Sequence, residues 1–423
     1  MRLVPDSPPP GPFRPGFWKS PLRGPWLTAL LGSILLVLVT IVSVTGFLSH
    51  IAYNPDLGHN AIVPVDKDFP LDFDWPTSPA WLYALNQGLH VTVGIVAVPL
   101  LLAKLWSVIP RLFVWPPATT PAQAIERISL ALLVSSAIFL FATGILNAQV
   151  FYPFKFSFVV AHYYAAWIFV GALVLHVLLK LPIIRRAYAE NGVLKPLKVS
   201  LAETRPEAGD PHGGLVAAAP AAPTLSRRGL FALVGAGSLG LLVVTAGQSI
   251  GGPFRKLALL APRGGDLADG PNAFTVNKTA SAVGINEQMT GDAWRLELTA
   301  GGRKRRLSRP QLLGLELHTE TLPIACVEGW STTQDWTGVR LRDLARMAGA
   351  PAGAELLVES LQRSGAFRSA TLSVDQVDDP RSLLALRVNG AELSLDHGFP
   401  ARVIVPALPG VHNTKWVGKL TWT

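Results

Sequence analysis

Cys326 is the only cysteine in 423 residues, and it lies in the stretch TLPIACVEGWSTTQDW. A thiolate is a soft, strongly donating metal ligand, but one thiolate alone cannot build a zinc or iron–sulfur site, which recruits several protein ligands. A lone cysteine therefore suits a metal whose other ligands come from an organic cofactor. It equally suits a nucleophile paired with His318, His397 or His412, or a small apolar residue buried in a core. Histidine forms the second set of chemistry-bearing residues. His90, His162 and His176 fall inside long apolar runs, and His50 ends one of them. An ionisable side chain at membrane depth is expensive and marks function. His162 and His176 are fourteen residues apart in AHYYAAWIFVGALVLHV. On a helix that is almost four turns, so the imidazoles share a face roughly 21 Å apart, a spacing suited to two haems stacked across a membrane.

The elements that must carry these residues follow from composition. Hydrophobic residues make up 49% of the chain and charged residues 15%, too apolar for an ordinary soluble protein of this length. Four runs are long enough to span a bilayer: Trp26 to Leu48, Trp81 to Ala103, Ile128 to Val150 and Phe158 to Leu181. The net charge of +9 gathers beside them, as Arg14, Lys19 and Arg23, then Lys104, Arg111 and Arg127, then Lys180, Arg185 and Arg186. That pattern argues for cytoplasmic flanks and against nucleic acid as partner. The loop with Asp56, Asp66, Asp68, Asp72 and Asp74 is then expected outside, with Trp75, Trp81 and Tyr83 at the interface. With one cysteine, no intramolecular disulfide braces an external domain.

The expected organisation is a cytoplasmic tail (1–25), a four-helix membrane domain (26–184), a flexible cytoplasmic linker containing GDPHGGLVAAAPAAP (185–228), a fifth transmembrane helix (229–252) and an extracytoplasmic domain (253–423). The fifth run follows SRRGLF, which resembles a twin-arginine export signal with its aromatic residue and leucine exchanged. In the last domain AWRLELTA and ARVIVPAL read as strands and VRLRDLARMAGA as a short amphipathic helix, giving an α+β fold in which strands dominate.

Two resemblances sharpen this reading. QGLHVTVGIVAVPLLLAKLW and the paired histidines of the fourth run, over roughly residues 26 to 184, resemble the cytochrome b subunits of bacterial formate dehydrogenases and nickel–iron hydrogenases. The resemblance implies an outer haem b held by His90 and His162. His176 would ligate a second haem, for which the usual first-helix partner is missing at the inner end; His50 is a substitute only in a different arrangement. On helix rise alone, His90 and His162 differ in depth by roughly 7 Å, against about 14 Å for His90 and His176.

Cys-x-Glu-Gly-Trp-Ser, then HGFPARVIVPALPGVHNTKWVGKL, with FTVNKTA ahead of both, resemble the molybdenum-cofactor domain of the sulfite oxidase family over about residues 270 to 423. That resemblance implies Cys326 as a molybdenum ligand beside the molybdopterin dithiolene, with Asn277, Lys278, His397, Arg402, Lys415 and Trp416 as pterin or phosphate contacts. A guanidinium suits a phosphate bidentately, and an ammonium supplies a point charge. The family's usual Asn-Arg-Arg after the cysteine is here Glu328-Gly329-Trp330, which removes a cation from an anion pocket and argues against sulfite as substrate. Arg363 or Arg368 would have to restore it. The family's dimerisation domain is not expected.

The combined expectation is a multi-pass bacterial membrane protein with its N-terminus cytoplasmic. It would couple molybdenum oxygen-atom transfer outside the membrane, on a small molecule or a protein side chain, to the quinone pool through one or two haem b groups, in the reducing direction. Two other classes compete: a haem-bearing electron-transfer protein whose outer domain only binds, and a membrane-anchored Cys–His hydrolase.

Overall fold

The computed structural model describes residues 7–70, 73–118, 120–208, 214–263 and 269–423. Asp72 of the acidic loop and GDPHG of the linker lie outside the described residues. The chain forms two compact units: residues 1–43, 93–147 and 152–243, and residues 44–92, 148–151 and 244–423.

The first unit is helical. It holds the first part of α1 (Pro25–Tyr53), α3 (Val98–Leu112), α4 (Pro121–Ala148), α5 (Phe158–Asn191) and α6 (Arg227–Thr245). Among the described residues four helices are long and apolar enough to cross a membrane, or five if a bent pair counts as one. The run expected as one helix from Trp81 to Ala103 is in fact that bent pair, α2 (Leu82–Val96) and α3, which meet at 42°. Pro99 is the reason: it has no N–H for the helix ladder and its ring crowds the preceding turn. At the break, Ser238 Oγ of α6 donates to the Val96 carbonyl at 2.8 Å.

The stretch expected as a loose linker is partly seated. The Glu207 carboxylate accepts from the backbone N–H groups of Trp26 (2.7 Å) and Leu27 (3.2 Å), satisfying two otherwise unpartnered donors at the start of α1. Gly24 makes room for it, since a Cβ there would lie 2.3 Å from the Glu207 carboxyl carbon. Arg227, the first arginine of SRR, is buried at 6% exposure and donates to the Arg205 carbonyl.

Among the described residues the second unit is built around ten strands. One sheet has the order β2 (Arg303–Ser308), β1 (Arg295–Ala300), β10 (Val417–Trp422), β5 (Leu356–Ser360), β6 (Ser369–Leu372). The other runs β3 (His318–Ala325), β4 (Ser331–Arg340), β7 (Leu383–Val388), β8 (Ala391–Glu392), with β9 (Arg402–Ile404) also paired to β7. β1 and β10 are parallel; the other strand pairs are antiparallel. The period-2 pattern of β1, with Leu296, Leu298 and Ala300 buried, explains its one-sided packing. The mainly β domain therefore agrees with the sequence.

Its extent does not. Residues 44–92 belong to this unit, and Ala52, Trp75 and Tyr83 join the core that includes Leu296, Leu356 and Val403. Trp75, expected at an interface, donates through its indole to the Ala407 carbonyl at 2.8 Å, whereas Trp81 is 56% exposed. A sequence rich in Asp and aromatic residues reads as interfacial, but its aromatic side chains here find a protein core instead.

Candidate functional site

β3 and β4 form an antiparallel hairpin whose register pairs Ala325 with Ser331, leaving Cys326 to Trp330 as its head. The turn is closed by Cys326 N–H to the Trp330 carbonyl and Gly329 N–H to the Cys326 carbonyl, both 2.9 Å. A β-hairpin end thus fixes the cysteine, and a second anchor holds it from the far side: Gly410 N–H donates to the Ala325 carbonyl at 2.7 Å.

Cys326 lines a small cavity that opens to solvent. Its polar lining includes Thr275, Asn277, Thr332, His397, Arg402 and Lys415, and its apolar lining includes Phe274 and Trp330. His397 stacks on Phe274 with centroids 3.7 Å apart and planes at 22°, and its Nε2 lies 3.0 Å from the Asn272 carbonyl. Arg402, on β9, donates to the carbonyls of His397 and Asn413, each at 3.1 Å, with its guanidinium 5.0 Å from the Trp336 ring centroid. Lys415 Nζ donates to the Lys278 and Asp396 carbonyls at 2.6 and 2.9 Å. Gly398 lets these two meet: its φ is +108°, and a Cβ there would press at 3.1 Å on Arg402 and Lys415.

The electrostatics are those of an anion site. Neither Arg402 nor Lys415 has a carboxylate within 4.0 Å among the described residues. Burial brings Arg402 down to about 9, and burial with the neighbouring Arg402 charge brings Lys415 down to about 7. Burial, reinforced by Arg402, lowers His397 to about 4, so its ring is neutral at pH 7. The Cys326 thiol is pushed up to about 12, first by burial and then by the Glu328 carboxylate.

Of the residues singled out in the sequence, Cys326, Asn277, His397, Arg402 and Lys415 meet in this cavity. Lys278 contributes its carbonyl to Lys415, and its side chain is not in the lining. Trp416 is fully buried beside Ala280 and Ile285, with its indole donating to the Leu395 carbonyl and its ring 4.7 Å from Lys415 Nζ. Arg363 and Arg368 lie between β5 and β6 and do not line the cavity. Of the three histidines considered as bases for the thiol, only His397 lines it. His318 starts β3, at the strand end opposite Cys326, and the His412 ring lies 3.0 Å from the Tyr53 carbonyl.

One feature was invisible in the sequence: Arg263 pairs with Glu328, Nε to Oε2 at 2.6 Å and Nη2 to Oε1 at 3.1 Å, across 65 positions.

The helical histidines are placed as follows. His90 and His162 are half-buried on α2 and α5, and each has a threonine hydroxyl at Nδ1: Thr45 at 3.4 Å and Thr143 at 2.9 Å. His176 is half-buried two to three turns inside α5 from its C-terminal basic stretch. His50 Nε2, considered for haem, instead lies 2.8 Å from Asp68 Oδ2.

Comparison with known proteins supplies a match for the second unit. Residues 282–423 match the model of the oxidoreductase molybdopterin binding domain. Mitochondrial sulfite oxidase of Mus musculus is 33% identical over 130 residues, 29% of this chain and 22% of that protein. The human enzyme is 32% identical over 130 residues, again 29% and 22%. NADH nitrate reductase of Volvox carteri is 35% identical over 104 residues, 22% of this chain and 12% of the relative. The sulfane dehydrogenase SoxCD of Paracoccus pantotrophus aligns at 25% identity and a TM-score of 0.29, covering 31% of this chain and 38% of that one. The chain spans less than a third of the length of these curated relatives. It carries a molybdopterin-binding oxidoreductase domain. The cavity draws Phe274 to Asn277 from just ahead of the matched residues.

The residues present fit that cofactor. Arg402 Nε is buried without a hydrogen-bond partner, and the basic side chains of Arg402 and Lys415 face the same cavity, as a site for a phosphate-bearing pterin requires. Among the described residues no group of three or more His, Cys, Asp or Glu is placed to hold a metal unaided. A single thiolate beside an organic cofactor accords with that.

Proposed function

We propose that the chain is a membrane-anchored molybdenum oxidoreductase with its own haem relay, working outside the cell membrane in the reducing direction on electrons from the quinone pool. The observation that carries this reading is the cavity that Cys326 shares with Arg402 and Lys415, two buried basic side chains with no carboxylate within 4.0 Å among the described residues. Molybdopterin, when bound, supplies two-electron oxygen-atom-transfer chemistry at molybdenum. Cys326 would be the protein's thiolate ligand, its proton released to solvent when the metal binds. Arg402 and Lys415 would hold the phosphate, with Asn277 and His397 orienting the pterin. Trp330 and Phe274 give the cavity apolar lining, a low-dielectric surface that strengthens polar contacts beside it.

The helices support the membrane and haem parts of the proposal. The long helices are apolar enough to span, with windows of mean hydropathy from 2.0 to 2.6. A hydroxyl at Nδ1, as Thr45 and Thr143 provide, fixes the tautomer and ring direction of an imidazole that ligates through its other nitrogen. His90, His162 and His176 are therefore proposed as haem b ligands. The basic flanks would place the N-terminus in the cytoplasm, and export of the last domain through a twin-arginine-like route is part of the same proposal.

The test is purification of the full chain in detergent with molybdenum and haem quantified. One molybdenum per chain and haem absorbance are expected. Cys326→Ala should lose molybdenum and turnover with haem spectra intact, and His90→Ala should lose haem absorbance. A Cys326→Ala chain that retains full turnover refutes the proposed chemistry.

A further inference from the structure

Three buried polar side chains outside the cavity lining lie behind the loop that carries Cys326. Ser49 Oγ donates to Gln87 Oε1 at 2.8 Å and lies 3.0 Å from the Tyr83 hydroxyl, and Gln87 Nε2 donates to the Val327 carbonyl at 2.8 Å. Ser49, Tyr83 and Gln87 are 7%, 1% and 3% exposed, and all belong to the unit that holds Cys326. The loop is pinned at the same place. Gly329 has a φ of +97°, a Cβ there would lie 2.7 Å from Val91 Cγ1, and Ser249 Oγ donates to the Gly329 carbonyl. Because the serine proton goes to Oε1, the Gln87 amide is fixed with its N–H toward Val327, and the tyrosine hydroxyl is left to donate to Ser49. Beyond Val327 the dipoles continue. Its carbonyl shares a peptide with the N–H of Glu328, and the N–H groups of Glu328 and Val327 donate to the Cys326 sulfur, favouring the thiolate against burial. Successive N–H groups in a tight turn form a concavity for an anion. Here Gly329 N–H closes that turn on the Cys326 carbonyl.

We propose that Gln87 is a positioning residue that sets how strongly the Cys326 sulfur donates to its metal. By donating to the Val327 carbonyl it polarises the peptide whose N–H reaches that sulfur, and the chain from Tyr83 through Ser49 adds to the polarisation. The proposal rests on the molybdenum reading above and deepens it by naming what tunes the centre. Hydrogen bonds around a ligating cysteine sulfur set the potential of the metal it holds. Bonds in a buried chain strengthen one another by roughly 10–30% each. A sulfur relieved of part of its hydrogen bond is a stronger donor, which favours the oxidised metal. Loss of Gln87 should therefore lower the reduction potential.

The test is a redox titration of the molybdenum-loaded full chain in detergent, followed by the electron paramagnetic resonance of its molybdenum. Gln87→Met keeps the length of the side chain and removes the donor. Its one-electron potential is expected to fall by the equivalent of about threefold in equilibrium constant, the scale of that strengthening applied to a charge-assisted hydrogen bond, or about 30 mV at ~59 mV per tenfold. Ser49→Ala keeps Gln87 and frees its amide to turn, so its potential should fall in the same direction and by less. A Gln87→Met potential equal to or above that of wild type, at equal molybdenum per chain, overturns the proposal. Should Gln87→Met load no molybdenum, Ser49→Ala carries the same test, and an unshifted potential there overturns it. Absence of molybdenum from wild type would instead refute the proposed function itself.

Discussion

Replacing Arg402 with methionine should separate stability from cofactor retention. The guanidinium is brought by burial well below the ordinary arginine range, to about 9, a penalty of about 5 kcal/mol at roughly 1.36 kcal/mol per pH unit. Against it stand two charge-assisted bonds to the His397 and Asn413 carbonyls, at ~1.5–3 kcal/mol each, and the approach to the Trp336 ring at ~1 kcal/mol. These nearly cancel, so the cofactor-free Arg402→Met chain should unfold within about 2 kcal/mol of wild type. Cofactor retention should behave differently, because a phosphate contact of ~1.5–3 kcal/mol is lost, weakening affinity by about 10-fold to 100-fold. The assay is thermal unfolding of full-length protein from a host that makes no molybdopterin, paired with molybdenum per chain after dilution of loaded protein. A variant destabilised by more than about 4 kcal/mol with unchanged molybdenum retention would show that Arg402 is a structural brace and refute the reasoning.

Two further outcomes follow from the packing. His412 is fully buried, burial lowers it to about 4, and its Nδ1 has no hydrogen-bond partner. The unfolded chain therefore binds a proton that the folded one refuses, and stability should fall as pH drops from about 6.5 to about 4, by up to about 3 kcal/mol from this residue. Tryptophan-monitored unfolding against pH should show a shallower slope in His412→Asn, and an unchanged slope would reject the assignment. Glu207→Ala should cost about 1–2 kcal/mol by stripping two N–H groups at the start of α1 of their acceptor, while Glu207→Gln, which keeps one acceptor oxygen, should lose less. Circular-dichroism melting of both variants in detergent checks the order, and equal losses would rule out capping as the cause.

What could be read from the sequence was what is local. The cysteine at the end of a strand lies within a short segment of legible pattern, whereas the cluster from His397 to Lys415 was legible only through the family resemblance of its motif. Trp416 follows Lys415 directly but its side chain goes to a separate cluster with Ala280 and Ile285, and nothing in a motif distinguishes the two neighbours. The Arg263–Glu328 pair spans 65 positions and carries no periodic signal. The helix break at Ala97 was signalled by Pro99, but the unbroken apolar composition of the run outweighed it. The acidic loop misled for a related reason: composition reports what a segment avoids, and it does not report that Trp75 would reach the Ala407 carbonyl.

The Glu207 cap also bears on the order in which the protein is made. The acceptor for the first amides of α1 is translated about 180 residues after the helix it completes. Synthesis runs at roughly 5–20 residues per second. For some ten to forty seconds the nascent first helix must therefore start without its cap, leaving its end to water or to assembly factors. Arg227 lies just downstream, its guanidinium 3.9 Å from that carboxylate in the finished fold. Closure of the N-terminal end thus waits until the segment that leads into the catalytic domain has itself been synthesised.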